Sequence, residues 1–443
     1  MTDLVSFFLL IAYLAFLPSG NVGLCIMLTA LVIKFLGTNN ITRSIYLLLF
    51  GIKTFGMVSL TMGYPGIGGK VAFVLGMVII VFNSNLSRTF FCIRKPLLLI
   101  VWIVAVLYLF YLYGPQAPYC TDKLVNTAIN GIVLLITFYY LFNYRSVDWS
   151  HIGQLGVLSA FVCFAACVMI SPEVKPYNVL DIGIMRLAYE RDQDIFQIRN
   201  TLSFLASMGF VILYASSPDR ALSKLNIVKL VIYLISAFIV LNWSGARLPL
   251  ISIVIVCALM QLVRPLFRKR YLEFSVVIAV LFIVFITISL NRQIRFVSSV
   301  LDSSRTFSDR MSRGVNWYAG YDRFVEKPLL GHGLGGYYIK RVSYPGEGTY
   351  AHNLFLELLS ETGIIGTVLI FSPLILWRRL FKNFSFSMRA QNGGAIFLLL
   401  VMLFLRSMVS FDLKASISLF SIIGVIAVFV STPREKPRPI LRR

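Results

Sequence analysis

The residues best able to do chemistry lie in the second half of the chain, and they are mainly arginine, histidine and tryptophan. Arg247, in the segment NWSGARLPLISIVIV, stands just after a Ser-Gly turn where an apolar run begins. An arginine at that depth is costly to desolvate unless it faces a cavity or an anion, so it is a candidate for function; snorkelling to lipid headgroups is its plainer role. Arg313 and Trp317, in SRGVNWYAGYDRFVEKPLLGHGLGGYY, have the i, i+4 spacing that puts two side chains on one helical face. A guanidinium can clamp phosphate oxygens in bidentate fashion while an indole packs on a sugar ring, so the pair suits a phosphate next to a sugar. His352 and Asn353, in YAHNLFLELLSETGIIGTVLIF, precede a helix that continues into an apolar run. His352 is one of three histidines in the chain, and an imidazole with an ordinary pKa of about 6.5 can act as a general base. Capping the helix, or simple solvation, is its alternative.

Neighbouring residues extend this set. The glycines of GHGLGG could form a backbone anion nest, but no strand precedes them and no lysine follows as in a nucleotide loop, so a simple turn is the plainer expectation. Glu357 and Glu361 follow Asn353 at steps of four and share a face, which would either orient basic groups or, more simply, be the wet side of the helix. Arg292, Arg295, Arg305, Arg310, Arg313 and Arg323 crowd one polar segment. An anionic ligand would use them; pairing with Asp302, Asp309, Asp322 and Glu326 is the alternative. Of the six cysteines, Cys163 and Cys167 sit one helical turn apart without nearby histidines, so packing rather than metal binding is expected. Only Cys120 falls in an expected outer loop, where it has no disulfide partner.

The elements that hold these residues must live in lipid. The 443 residues are 58% hydrophobic and 14% charged, with a mean hydropathy of +0.81, far more apolar than one soluble core requires. Apolar runs of about 15 to 21 residues recur at lengths near the bilayer-spanning requirement. They begin near residues 4, 21, 45, 70, 97, 122, 152, 197, 226, 246, 271, 363, 394 and 415. The expected fold class is an all-α integral membrane protein with about 12–14 transmembrane helices and one large outer, periplasmic loop containing short helices. The first run lacks a basic region before it and a small-residue cleavage pattern after it, so it reads as a retained span.

A net charge of +22 would suit nucleic acid, but the basic residues fall in alternate loops. They include Arg88, Arg94 and Lys95; Arg220 and Lys224; Arg264, Arg268, Lys269 and Arg270; Arg378, Arg379 and Lys382; and the tail from Arg434 to Arg443. That alternation sets orientation, with both termini cytoplasmic, and leaves no call for a nucleic-acid partner. It divides the chain into an N-terminal transmembrane bundle over residues 1–290, with a smaller outer loop near 172–196, a large periplasmic loop over 291–362, and C-terminal transmembrane helices with a basic cytoplasmic tail over 363–443. The smaller loop carries Arg186, Arg191 and Arg199, the last a candidate sugar-binding or supporting residue. The larger, of about seventy residues, has room for several short helices but hardly for a core of its own. No internal repeat is visible, which weighs against a secondary transporter.

Taken in order, SGAR from Ser244 to Arg247, Arg313-x-x-x-Trp317, KPLLGHG from Lys327 to Gly333, and His352-Asn353 followed by GIIG ending at Gly366 resemble the O-antigen ligase and polymerase superfamily. The resemblance covers residues 240–370; the earlier runs match only in being hydrophobic. It implies an enzyme of the bacterial cell inner membrane that transfers glycan from an undecaprenyl-diphosphate carrier to an acceptor sugar. By that resemblance Arg247 and Arg313 hold the diphosphate and His352 activates the acceptor hydroxyl, with Trp317, Asn353, His332 and Arg199 binding sugar or supporting. Direct displacement would invert the anomeric centre and need neither metal nor cofactor. His332 departs from the family pattern, which more often has a small apolar residue there, and so stands as the alternative base.

Two reactions remain open: a polymerase that joins repeat units while both are on lipid carriers, and a ligase that moves finished glycan to lipid A-core. The number of apolar runs and the extra outer loop favour the polymerase, for which a membrane chain-length regulator is an implied partner. A lipid-linked oligosaccharide flippase would place charges deep within spans, where Lys53 is the main candidate, and would need no large outer loop. A metal-dependent glycosyltransferase would need acidic ligands, and the first outer loop, MGYPGIGGK, has none.

Overall fold

The computed structural model describes residues 2–18, 20–61, 64, 67–83, 86–143, 148–171, 174, 193–216, 224–244, 249, 252–253, 256, 316–339, 351–376, 401–405, 407 and 423. Among these residues every regular element is a helix, and the protein is an all-α membrane protein. Four described helical stretches, Asn40–Ser59, Trp149–Ile170, Ile227–Ser244 and Leu354–Pro373, are long and apolar enough to cross a membrane. Helices cover every apolar run foreseen before residue 245, because in lipid a segment must satisfy its own backbone hydrogen bonds. The runs near 246, 271, 394 and 415 lie largely outside the described residues, as do 291–315, 340–350 and most of 172–192.

Two compact units divide the chain. The first comprises Met1–Ser84 and Tyr144–Met311. It contains α1 (Thr2–Phe16), α2 (Gly20–Leu36), α3 (Asn40–Tyr46), α4 (Ile52–Thr61), α5 (Ile67–Asn83), α8 (Trp149–Ile170), α9 (Gln193–Ser216) and α10 (Lys224–Ser244). α8 is buried along nearly its whole length, as suits a helix apolar on every side. It crosses α9 at glycines: a Cβ on Gly153 would lie 2.6 Å from Leu213 Cγ, and one on Gly209 2.9 Å from Val157 N. Small residues are what allow two backbones so close. α3 passes into α4 through a buried π-helical turn, Leu47–Gly51, and the Tyr46 hydroxyl shares a 2.8 Å hydrogen bond with Ser159 of α8. Cys163 and Cys167 are buried in α8, in packing positions.

Polar contacts gather where antiparallel helices bring their ends together. At one end Lys34 Nζ donates to Asp3 Oδ1 at 2.5 Å, His151 Nε2 lies 3.2 Å from the same oxygen, and His151 Nδ1 lies 2.6 Å from Asp148 Oδ2. This chain joins the start of α1, the end of α2 and the start of α8. At the other end, Arg199 near the start of α9 meets the last residue of α10.

The second unit comprises Asn85–Asn143 and Ser312–Arg443. Here α6 (Leu86–Tyr113) and α7 (Pro118–Asn143) form a hairpin, followed by α11 over 316–326, α12 (Gly336–Ile339) and α13 (Leu354–Leu376). α13 lies along α6: Trp102 Nε1 donates to the Leu369 carbonyl at 2.7 Å, and a Cβ on Gly366 would come within 2.5 Å of the Phe110 ring.

Candidate functional site

α13 begins immediately after His352 and Asn353. Asn353 caps it, its Oδ1 accepting from the amides of Phe355 at 3.0 Å and Leu356 at 3.2 Å. These are donors that the first turn of any helix leaves without partners. The capping role open to His352 thus falls to Asn353, one residue later. His352 has φ +55, a left-handed conformation that histidine adopts more readily than most side chains, and is half-buried. Ala351 packs with Ala319 of α11 and Tyr337 of α12, and Leu356 joins them. This small cluster seats α11 beside the head of α13. On α11, Trp317 is 42% exposed, and Tyr321, one turn on, is 55% exposed, so an aromatic face is open to a ring-shaped ligand.

The glycine-rich loop after α11 solves a problem in α13. Gly363, with φ 63 and ψ −168, breaks that helix, so groups on either side of the break need partners from elsewhere. The loop supplies them. The His332 amide donates to the Ser360 carbonyl at 3.0 Å and the Gly333 amide to the Glu361 carbonyl at 2.8 Å. In return, the amides of Ile364 and Ile365 donate to the carbonyls of Pro328 at 2.8 Å and Leu329 at 3.1 Å. Gly331, Gly333 and Gly335 all have positive φ, which is why glycine recurs there. The Leu334 amide is also engaged, by the Phe110 carbonyl at 3.1 Å. The amide donors of His332, Gly333 and Leu334 are thus taken up by carbonyls, and the run is a turn that mends a helix.

Below the head of α13 stands an ionic cluster. Lys123 Nζ of α7 donates to both carboxylate oxygens of Glu361, at 2.9 and 2.8 Å, and to Glu357 Oε1. The three side chains are no more than 2% exposed. This corrects the expectation that Glu357 and Glu361 form a wet face: they share a face, but it is turned inward to a lysine. Lys123 was not among the expected site residues; its only local sign is a charge at the edge of an apolar run. Arg323, one of the crowded arginines, is likewise buried, its guanidinium carbon 4.4 Å from the Tyr337 ring centroid. Among the described residues no group of three or more His, Cys, Asp or Glu side chains is arranged to hold a metal.

His332 has a 6% exposed side chain, with Nε2 3.1 Å from the Arg323 carbonyl and 3.2 Å from Glu326 Oε2. It pins the glycine loop to α11. Arg199 Nε donates to the Ser244 carbonyl at 2.6 Å, and Trp243, fully buried, has Phe164 at a ring separation of 4.5 Å. Together they anchor the end of α10, from which the chain continues to Arg247. Arg247 and Arg313 themselves lie outside the described residues.

Residues 232–371 match the family described as O-antigen ligase. The match runs from within α10 to within α13 and takes in the SGAR motif, Trp317, the mending loop and His352. No curated protein matches the chain. Members of that family are membrane glycosyltransferase-like enzymes of O-antigen-related polysaccharide biosynthesis, either ligases or polymerases. The match over residues 232–371 supports a relationship of that part of the chain to the O-antigen ligase and polymerase superfamily.

Proposed function

We propose that the protein polymerises undecaprenyl-diphosphate-linked oligosaccharide repeat units, of O-antigen or a related surface polysaccharide, at the periplasmic face of the inner membrane. Arg247 and Arg313 hold the donor diphosphate, and Trp317 packs on the adjoining sugar. His352 takes the proton of the acceptor hydroxyl as its oxygen attacks the anomeric carbon. The bond from that carbon to the diphosphate oxygen breaks, its electron pair leaves with the diphosphate, and the two arginines stabilise the charge. The configuration inverts, and no metal is required. In this reading both termini are cytoplasmic, residues 291–362 form the large periplasmic loop between transmembrane regions 1–290 and 363–443, and a chain-length regulator is a partner.

The observation that carries the reading is the head of α13. There His352, half-buried, stands just before the Asn353 cap, beside the cluster that seats α11 with its exposed Trp317. The expected number of spans and the second outer loop favour polymerase over ligase. The flippase reading gains nothing from the family match. Deleting the gene and separating surface glycans on a gel tests the choice: lipid A-core bearing a single repeat unit is the expected result. Bare core, with long glycan still on the lipid carrier, would identify a ligase instead. His352→Ala, Arg247→Ala and Arg313→Ala are each expected to abolish transfer while the protein stays in the membrane. Full activity in both arginine variants would remove the diphosphate clamp.

A further inference from the structure

Two adjacent leucines of the glycine loop are left bare by the protein around them. Leu329 is 61% and Leu330 43% exposed, and neighbouring apolar side chains exposed to that degree mark a surface made to be covered. Hydrogen bonds fix their level relative to α13. The carbonyls of Pro328 and Leu329 accept from the amides of Ile364 and Ile365, which lie midway along Leu354–Pro373, a stretch long and apolar enough to cross a membrane. Ile364, Ile365 and Val368 are themselves exposed, so the leucines stand beside bare apolar side chains of a membrane-crossing helix. α6 reaches the same level. Its apolar stretch Leu97–Tyr113 ends where a Cβ on Gly114 would lie 3.0 Å from Gly333 Cα. Lys327 Nζ is 5.9 Å from the Tyr113 ring centroid, and a lysine beside a tyrosine at the end of an apolar stretch is the pairing found at headgroup level.

The backbone of the loop carries the second sign. Non-helical chain survives at membrane depth only where protein satisfies its polar groups, whereas a turn in water can leave them to solvent. Here the amides of four successive residues, Gly331 to Leu334, donate to the carbonyls of Lys327, Ser360, Glu361 and Phe110, at 2.9, 3.0, 2.8 and 3.1 Å. We propose that the turn Lys327–Leu330 is a lipid-docking site, with Leu329 and Leu330 seated among the acyl chains of bilayer phospholipid and Lys327 level with the headgroups. The turn thereby fastens α11, which it follows directly, to the membrane surface. The inference needs only that the chain lies in a membrane, and it holds for polymerase and ligase alike.

The test reads the surroundings of the turn directly. A fluorescent amino acid is introduced at position 329 of the full chain by stop-codon suppression, and the protein is reconstituted into vesicles of phosphatidylcholine and phosphatidylglycerol. Quenching by phosphatidylcholine with a nitroxide on its acyl chain is compared with quenching by iodide in the water, and the same label at position 368 of α13 serves as reference. Nitroxide quenching at 329 is expected within about twofold of that at 368, since both levels fall inside a hydrocarbon core about 30 Å thick. Iodide is expected to quench the label at 329 at least about fivefold less than the free fluorescent amino acid, because an unpaired ion is excluded from hydrocarbon. If the label at 329 prevents assembly, position 330 carries the same comparison. Strong iodide quenching with none from the nitroxide lipid would put the turn in water and overturn the inference. Quenching by neither would mean that protein covers the leucines, and would overturn it equally.

Discussion

Replacing Gly331 by alanine strikes the seam between the glycine loop and the broken helix. Gly331 has φ +66, and a Cβ there would lie 2.5 Å from the Glu361 carbonyl carbon, 2.6 Å from its oxygen and 2.7 Å from Gly363 N. All three atoms are backbone, so no side chain can swing aside. Holding alanine in the left-handed region costs about 1–2 kcal/mol. Pushing the loop away also loses the bonds from the His332 and Gly333 amides to α13, each worth about 1 kcal/mol net, for a total of about 3–4 kcal/mol. Purified protein in detergent would be unfolded by heat and by added denaturing detergent while tryptophan fluorescence is followed. The control is Leu329→Ala on the same loop, where the side chain is 61% exposed and a change within about 0.5 kcal/mol is expected. Gly331→Ala should unfold well before both the control and the parent. A Gly331→Ala protein as stable as Leu329→Ala would refute the account of the loop as a seam.

Other perturbations probe separate contacts. Lys123→Met strands two buried carboxylates and is expected to cost about 3–5 kcal/mol, whereas adding Glu357→Gln and Glu361→Gln should recover most of it; equal losses in the single and triple variants would contradict the cluster. Asn353→Ala removes the cap of α13, at about 1 kcal/mol, and should depress transfer, while Asn353→Asp keeps both; melting curves and a transfer assay read the two effects. Burial alone would raise the Asp148 pKa, but hydrogen bonds from the side chain and backbone of His151 outweigh it and hold the carboxyl below its usual range. Its contribution to stability is therefore present above about pH 4 and is lost as pH falls through the lowered value. Melting curves taken down to about pH 3 should show a shallower acid loss in Asp148→Asn than in the parent, and identical slopes would count against that contact.

Local pattern alone specified a helical membrane protein, because lipid demands apolar length and internal backbone bonding of every span separately. The four-residue spacing of Glu357 and Glu361 likewise put them on one face, and the order of short motifs from Ser244 to Gly366 pointed to the family that residues 232–371 match. What that glutamate face looks at was not legible, for its partner Lys123 lies 234 positions away from Glu357. Nor does GIIG, read within an apolar run, disclose that Gly363 breaks α13, or that a loop some thirty residues earlier supplies the missing hydrogen bonds. Nor does the sequence disclose that His332 is held against Arg323 and Glu326 of α11. Periodicity is a property of one segment at a time; the partners of buried polar groups are set by how distant segments pack, and that was decided by the tertiary structure.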